Sequence, residues 1–178
     1  MSSSSSHERR WQCVRLAVCV VALVLWMGFI FFMSANDGDH SQGMSDGLTS
    51  FVLSAVWPGF SDMSPDEQTA VVGSLSFFVR KAGHFSEYAV LGLLAFATLR
   101  QGQALRSSQA LRNTRKIAPV AVGAVAMAFV YACFDEFHQL FVAGRSGQPF
   151  DVGVDTAGAL VAVAIVVAVM RMRERHRV

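Results

Sequence analysis

Four apolar stretches constrain this chain more than any other feature, because each is long enough to cross a lipid bilayer as a helix. A bilayer core of about 30 Å requires roughly 20 apolar residues. The stretches cover residues 14–33, 77–99, 117–142 and 152–170. The first exceeds the apolar core of a signal peptide, which has about 7 to 15 residues, and no clear cleavage site follows it. The sequence therefore predicts an all-α, multi-pass membrane bundle with four transmembrane helices.

The composition agrees with a membrane protein and excludes several other classes. Hydrophobic residues make up 53% of the chain and charged residues 16%, whereas soluble domains carry roughly 25% charged residues. This balance excludes a disordered chain, a secreted disulfide scaffold and a nucleic-acid-binding domain. The cysteines are Cys13, Cys19 and Cys133, an odd number without zinc-site spacing. We interpret them as small apolar residues of membrane helices.

The charges are segregated along the chain, and this predicts an orientation. Residues 34–76 contain six acids and no Lys or Arg, whereas residues 100–116 contain five bases and no acid. Both termini are also basic. By the positive-inside rule, both termini and the 100–116 loop are cytoplasmic, and the 34–76 and 143–151 segments are extracytoplasmic. The same rule explains the basic loop fully, so it does not indicate nucleic-acid binding.

The remaining segments differ in composition. Residues 1–13 include a run of serines and are predicted to be disordered. Residues 14–172 form the predicted membrane domain, and residues 173–178 a basic cytoplasmic tail. An apolar piece at 48–57 is predicted to lie in the membrane interface. Ser64-Pro65-Asp66-Glu67 is a typical helix start, and nothing breaks that helix before the second span.

Three short motifs place ionisable side chains inside or beside the last three spans. They contain Arg80, Lys81, His84 and Glu87; Asp135, Glu136 and His138; and Arg145, Asp151 and Asp155. A charge at the bilayer centre costs roughly 2.5 to 3.5 kcal/mol on insertion scales, so such groups pair, face water or perform a function. At about 1.5 Å per residue, His84, Asp135 and Asp155 lie roughly 24 to 28 Å from the cytoplasmic ends of their spans. We therefore expect one polar site in the outer part of the membrane.

Helical spacing predicts which of these side chains share a face. Residues three or four apart are neighbours on a helix. The predicted groups are His84, Glu87 and Tyr88; Asp135, His138 and Gln139; and Asp151 and Asp155, continued by Gly158 and Ala162. Glu136 is rotated away from Asp135 by about 100°. Small residues such as Gly158 allow another helix to approach closely. A structural interpretation stays open, in which these groups only pair with one another and with Arg145.

The same motifs are similar to those of the VanZ-like family of bacterial membrane proteins, over roughly residues 20–170. The resemblance rests on three regions. They are residues 78–88 with Leu91-Gly92; Tyr131-Ala132 with residues 135–142; and Gly144-Arg145 followed by Asp151-Val152, Asp155 and Gly158. Gly83 stands where the family usually has Ala, and Ala143 where it often has Pro. A Ser-Ser-Gln-like element of the family is matched only by Ser34-Ala35-Asn36 and Ser41-Gln42.

The resemblance implies a small polytopic protein of the bacterial cytoplasmic membrane. The family's namesake is linked to low-level resistance to the glycopeptide antibiotic teicoplanin. Our first hypothesis is a non-catalytic envelope protein that binds an anionic lipid-linked or cell-wall component at the outer leaflet. Arginine suits bidentate contact with phosphate. The residues assigned to this binding are Arg80, Lys81, Glu136, Gln139, Arg145 and Asp151.

Two further functions stay open. An intramembrane enzyme acting on a lipid-linked substrate would use His84, Glu87, Asp135, His138 and Asp155 as metal ligands or as an acid/base pair. No stretch has a known metalloenzyme spacing, so neither a metal nor another cofactor is assigned. A proton- or ion-coupled transporter would use the same groups as a relay, but four spans are few for that unless the chain forms a homo-oligomer.

Overall fold

The computed structural model describes residues 2–36, 38–106 and 117–176, with side chains from His7 onward. These residues form five α-helices and no strand: α1 (Ser2–Ser34), α2 (Gly38–Val56), α3 (Pro65–Arg106), α4 (Ile117–Gln139) and α5 (Pro149–Arg175). A short 3-10 helix, Pro58–Phe60, separates α2 from α3. The helices α1, α3, α4 and α5 are long and apolar enough to cross a membrane. The predicted all-α membrane bundle with four spans is confirmed, and its orientation stays a prediction.

The helix ends differ from the predicted spans. α1 begins at Ser2 and so extends into the segment 1–13, for which the sequence predicts disorder; the division into domains stays a prediction. α4 ends at Gln139, three residues before the predicted end of its span, because the chain turns there toward α5. α5 covers 152–170 and extends it at both ends. Most of the basic loop, residues 107–116, lies outside the described residues.

α3 is the centre of the bundle and packs against the other four helices. Its predicted start is confirmed, because Glu67 Oε2 accepts hydrogen bonds from Ser64 N and Oγ at 2.8 and 2.7 Å. The Glu67 amide donates to Ser64 Oγ at 3.4 Å, which completes a capping box. The 42 residues of α3 correspond to about 63 Å, twice the thickness of the hydrocarbon core. Part of α3 therefore lies outside that core.

α2 is a helix that the sequence did not predict in full. It runs unbroken through residues 38–47, which are rich in Gly, Ser and Asp, and through the apolar piece as far as Val56. Its buried side chains are polar, since Ser41 and Thr49 are 8% and 2% exposed, while Leu48 and Phe51 are 53% and 71% exposed. Ser45 Oγ and Thr49 Oγ1 donate to carbonyls one turn earlier at 3.0 and 2.7 Å. The usual apolar pattern of a core-facing helix is therefore absent.

Small residues bring the membrane helices close together. α4 buries Ala124, Ala128 and Ala132 at four-residue spacing. On α5, a Cβ added at Gly158 would lie 2.1 Å from the backbone oxygen of Phe85 on α3, so only glycine fits there. The predicted close approach of another helix at Gly158 is confirmed. It brings the preceding turn of α5, which carries Asp155, against α3.

Candidate functional site

Two adjoining cavities open where the three polar motifs meet, at what we call the polar end of the bundle. Their volumes are about 210 and about 170 Å³. Both are lined by Ser41, Arg80, His84 and Arg145, so they are two parts of one site. The first cavity also contacts Ser34 of α1, Glu87 of α3 and Asp135 of α4, and the second contacts Lys81, Gln139 and Asp151. All five helices therefore contribute to the site.

Arg145 lies in the turn between α4 and α5 and folds back over the cavities. Its Nε donates to the Asn36 carbonyl at 2.9 Å, and a terminal nitrogen donates to the Met33 carbonyl at 3.2 Å. These bonds satisfy carbonyls at the end of α1. Burial lowers the pKa of the Arg145 guanidinium from its ordinary value, yet arginine keeps its charge in proteins. The structural interpretation from the sequence pairs Arg145 with carboxylates. No described carboxylate forms such an ion pair with Arg145 within 4 Å.

Arg80 reaches the same cavities from α3. Its guanidinium donates a hydrogen bond to Gln42 Oε1 of α2, and its Nε is buried without a partner among the described residues. Gln42 is fixed in turn, since its Nε2 donates to Asp46 Oδ1 at 2.7 Å and to Ser76 Oγ at 3.1 Å. Within the described part of the chain, Arg80 also has no ion pair with a carboxylate. Two guanidinium groups therefore border one site without direct neutralisation by those carboxylates.

Lys81, the third base assigned to anion binding, has a different partner. Its ammonium forms an ion pair with Asp151 at the start of α5. The same ammonium lies 5.2 Å from the centre of the Phe77 ring and 5.8 Å from that of Phe150, within the range of a cation–π contact. Lys81 and Asp151 neutralise each other at the second cavity and join α3 to α5.

His84 and Asp155 connect α3 to α5 one helical turn further along α5 than Asp151. His84 Nδ1 lies 3.6 Å from Asp155 Oδ1, an ion-pair distance that is slightly long for a hydrogen bond. Asp155 is fully buried, and neither of its carboxylate oxygens has a hydrogen-bond partner in the described residues. Because Nδ1 faces Asp155 and the ring lines both cavities, Nε2 is the nitrogen available to a molecule in the site.

Asp135 and Glu136 are both buried near the end of α4, at 1% and 5% exposure. Gln139 Nε2 lies 3.3 Å from an oxygen of each carboxylate and bridges them. Glu136 Oε2 also accepts a hydrogen bond from the Gln148 amide at 2.7 Å, so it fixes the turn before α5. The predicted contact of Asp135 with Gln139 is therefore present, and Glu136 stabilises the turn.

His138 and Tyr88 lie apart from the cavities. The predicted contact of Asp135 with His138 is not formed, because the His138 ring packs against Phe31 of α1 with centroids 4.4 Å apart. At about 100° per residue, His138 is turned about 60° from Asp135, whereas Gln139 is turned only about 40°. Tyr88 is fully buried, and its hydroxyl has no hydrogen-bond partner among the described residues.

Sequence reasoning missed the part that the end of α1 and the start of α2 play in the site. Ser34 and Ser41 line the first cavity, the Asn36 carbonyl binds Arg145, and Gln42 binds Arg80. The Gly38 amide donates to the Ala143 carbonyl at 3.0 Å, which ties this segment to the turn after α4. The weak match of these positions to the Ser-Ser-Gln-like element was the available signal.

The arrangement of the acidic and histidine side chains bears on the metalloenzyme hypothesis. In residues 2–36, 38–106 and 117–176, no group of three His, Cys, Asp or Glu side chains is placed to hold a metal ion.

The family of this chain follows from comparison with known proteins. A family model described as VanZ/LLP1 matches residues 19–171. That region contains the three polar motifs and the residues that line both cavities at the polar end. Comparisons with curated proteins and with solved structures gave no match. Because the match covers most of the chain, this multi-pass membrane protein belongs to the VanZ-like family.

Proposed function

We propose that this protein binds an anionic, phosphate-bearing component of the cell envelope at the outer face of a bacterial cytoplasmic membrane. The observation that carries the proposal is the pair of guanidinium groups, Arg80 and Arg145, on one site. Neither forms an ion pair with a carboxylate in the described residues. Guanidinium groups bind phosphate through paired, charge-assisted hydrogen bonds. Partly buried cations without a counterion are costly, and a bound anion would offset that cost.

Buried polar atoms without partners support the same proposal. Buried polar groups are nearly always hydrogen-bonded, so a concentration of exceptions needs an explanation. At the polar end, the described residues include these exceptions: Ser34 Oγ, Arg80 Nε, His84 Nδ1, Tyr88 Oη, Asp135 Oδ1, and both carboxylate oxygens of Asp155. A ligand with its bound water would supply partners to those that border the cavities.

The predicted orientation and the family support a proposed cellular role. The positive-inside rule places the polar end outside the cytoplasm, where lipid-linked cell-wall components are exposed. The family's namesake is linked to teicoplanin resistance. We therefore propose reduced susceptibility to teicoplanin-type glycopeptides as the phenotype of cells that express this protein.

Binding of ethyl phosphate to the protein in phosphatidylcholine nanodiscs tests the proposal. By calorimetric titration, we expect saturable binding to the parent protein. Arg80→Gln should weaken it about 10- to 100-fold, since a hydrogen bond to a charged group contributes about 1.5–3 kcal/mol.

A matched control is Arg171→Gln, because Arg171 is exposed near the opposite end of α5. That variant should keep the affinity of the parent protein. Absence of saturable ethyl phosphate binding, or equal affinity in the Arg80 and Arg171 variants, would contradict the proposed function.

The contact between His84 and Asp155 favours acid/base catalysis as a second candidate function. A buried carboxylate beside Nδ1 orients an imidazole so that Nε2 acts as a general base. On a phosphoanhydride, a water oxygen would form the new P–O bond as the anhydride P–O bond breaks. The water proton would pass to His84 Nε2 and then to the leaving phosphate.

Release of inorganic phosphate from octyl pyrophosphate tests this second function. Release by the parent protein, lost in His84→Gln while ethyl phosphate binding persists, would support catalysis. A parent protein that binds ethyl phosphate but releases no phosphate from the pyrophosphate would limit the function to binding.

A further inference from the structure

The first cavity has a polar part and an apolar part. Arg80, His84 and Arg145 supply polar groups, while Met33 of α1 and Met44 and Leu48 of α2 supply apolar walls. A phosphate or a sugar phosphate would use only the polar part. The apolar walls therefore indicate a ligand that also has an apolar part.

The apolar wall continues along α2 beyond the cavity. Met44, Leu48, Phe51 and Val52 follow one another at spacings of four, three and one, which places them on one face of the helix. They are 41%, 53%, 71% and 44% exposed. Because α2 packs its polar side on α3, this apolar strip is its outward face. A contiguous exposed apolar surface of this kind marks an interaction site.

The apolar strip and the two arginines border the same cavity. A ligand that contacts both needs an anionic part and an apolar part. Resting on the proposed anion binding, we propose that the ligand is an anionic amphiphile, a phosphate ester of an alkyl or isoprenoid chain. Its phosphate lies between Arg80 and Arg145, and its chain lies against Met44 and Leu48 of α2. Charge complementarity selects the head, and the apolar strip selects the chain.

The acidic residues of the 34–76 segment argue against a second copy of this chain as the occupant. Asp62 in the α2–α3 connection and Asp66 and Glu67 in the first turn of α3 are all exposed, and the segment 34–76 has no Lys or Arg. A second copy related by an axis along the membrane normal would place two such acidic groups at the same height, where like charges repel. A single amphiphile brings no second acidic segment, and its anionic head is attracted to Arg80 and Arg145 at the cavity.

Alkyl phosphates of increasing chain length test the proposal. We would titrate ethyl, butyl, hexyl and octyl phosphate into the protein in phosphatidylcholine nanodiscs, correcting for partition into empty nanodiscs. A fully buried methylene increases affinity about fourfold. We expect at least a tenfold increase from butyl to octyl phosphate for the parent protein. The double variant Met44→Gln, Leu48→Gln should lose most of this increase, with each affinity expressed relative to the same protein's affinity for ethyl phosphate.

The control and the contrary outcomes separate this inference from the proposed function. Val14→Gln changes an exposed apolar residue at the opposite end of α1 and should keep the chain-length dependence. If affinity depends on chain length equally in the parent protein and the double variant, the amphiphile proposal is wrong. It is also wrong if cross-links from Phe51 show that a second copy of this chain, or another protein, covers the strip. If ethyl phosphate itself fails to bind, the proposed function falls as well.

A competition experiment identifies the source of the amphiphile. If the ligand comes from the outer leaflet, phosphatidic acid built into the nanodisc should displace bound ethyl phosphate. If the ligand arrives from water, octyl phosphate should displace ethyl phosphate and phosphatidic acid should not. Failure of both to compete would overturn the proposal.

Discussion

At the scale of single residues, the bases of the polar end have separate tasks. Lys81 is neutralised by Asp151, whereas Arg80 and Arg145 bind uncharged partners, Gln42 and the carbonyls at the end of α1. A hydrogen bond to a neutral group does not neutralise a guanidinium. Asp135, Glu136 and Glu87 stabilise the charge of Arg145, but from beyond ion-pair distance. Under the proposed function, the two arginines bind the anion and Lys81 does not.

Arg145→Lys tests this division of tasks. A lysine ammonium cannot reproduce the planar fork that contacts both Asn36 and Met33. We expect at least tenfold weaker ethyl phosphate binding and a lower unfolding midpoint, with normal membrane insertion and abundance. The measurements are calorimetric titration, thermal unfolding in detergent and a quantitative membrane-fraction blot. A lysine variant with the affinity of the parent protein would show that Arg145 does not bind the anion through its fork.

The pair of Lys81 and Asp151 should behave as a structural contact. Asp151→Asn leaves the Lys81 ammonium partly buried without its partner. We expect the free energy of unfolding to fall by about 1–3 kcal/mol, less than the 3–5 kcal/mol typical when one partner of a fully buried pair is removed. Adding Lys81→Met should recover much of that loss, which a double-mutant cycle on thermal stability measures. The double variant should bind ethyl phosphate within about threefold of the parent protein. A double variant that is stable but no longer binds ethyl phosphate would show that Lys81 contributes to the ligand site.

At the scale of helices, the close approach of α5 to α3 positions the site. Gly158 contacts the Phe85 carbonyl, and Gly92 faces Ala159 from the other side, where an added Cβ would lie 2.9 Å from Ala159 Cα. This packing sets the position of Asp155 relative to His84. The geometry of the polar end therefore depends on glycines that are not themselves part of the cavities.

Gly158→Ala and Gly153→Ala form a matched pair on α5. The first adds a methyl group 2.1 Å from a backbone oxygen of α3, whereas the second meets nothing within 4 Å. We expect Gly158→Ala to lower the unfolding midpoint and to weaken ethyl phosphate binding, because α5 must move. Gly153→Ala should leave binding unchanged and raise stability by up to about 1 kcal/mol through helix propensity. Equal behaviour of the two variants would show that the close contact does not position the site.

Comparison of these elements shows what a sequence can predict here and what it cannot. The spans, the Ser64–Glu67 capping box and the packing at Gly158 depend on local composition and spacing, and each is found. α2 was missed in part because its apolar face points outward and its buried face is polar. The partner of Arg145 was missed because a backbone carbonyl leaves no trace in the sequence.

At the scale of the whole molecule, the predicted topology and the charges of the polar end are connected. The positive-inside rule predicts that the basic loop and both termini are cytoplasmic, and this orientation would put the polar end outside. On that orientation, the polar end would be accessible from the outer face, and its two guanidinium groups would attract anions that approach it.

Labelling of a cysteine at Ser45 tests this central claim most directly. Ser45 lines the first cavity, and the variant would be made in a chain whose Cys13, Cys19 and Cys133 are replaced by alanine. In intact spheroplasts, we predict labelling by impermeant methanethiosulfonates, faster for the anionic than for the cationic reagent, and protection by ethyl phosphate. A cysteine at the exposed Asp62 should label from outside without protection. Labelling of Ser45→Cys only after permeabilisation, or labelling that ethyl phosphate does not slow, would contradict an outward-facing anion site.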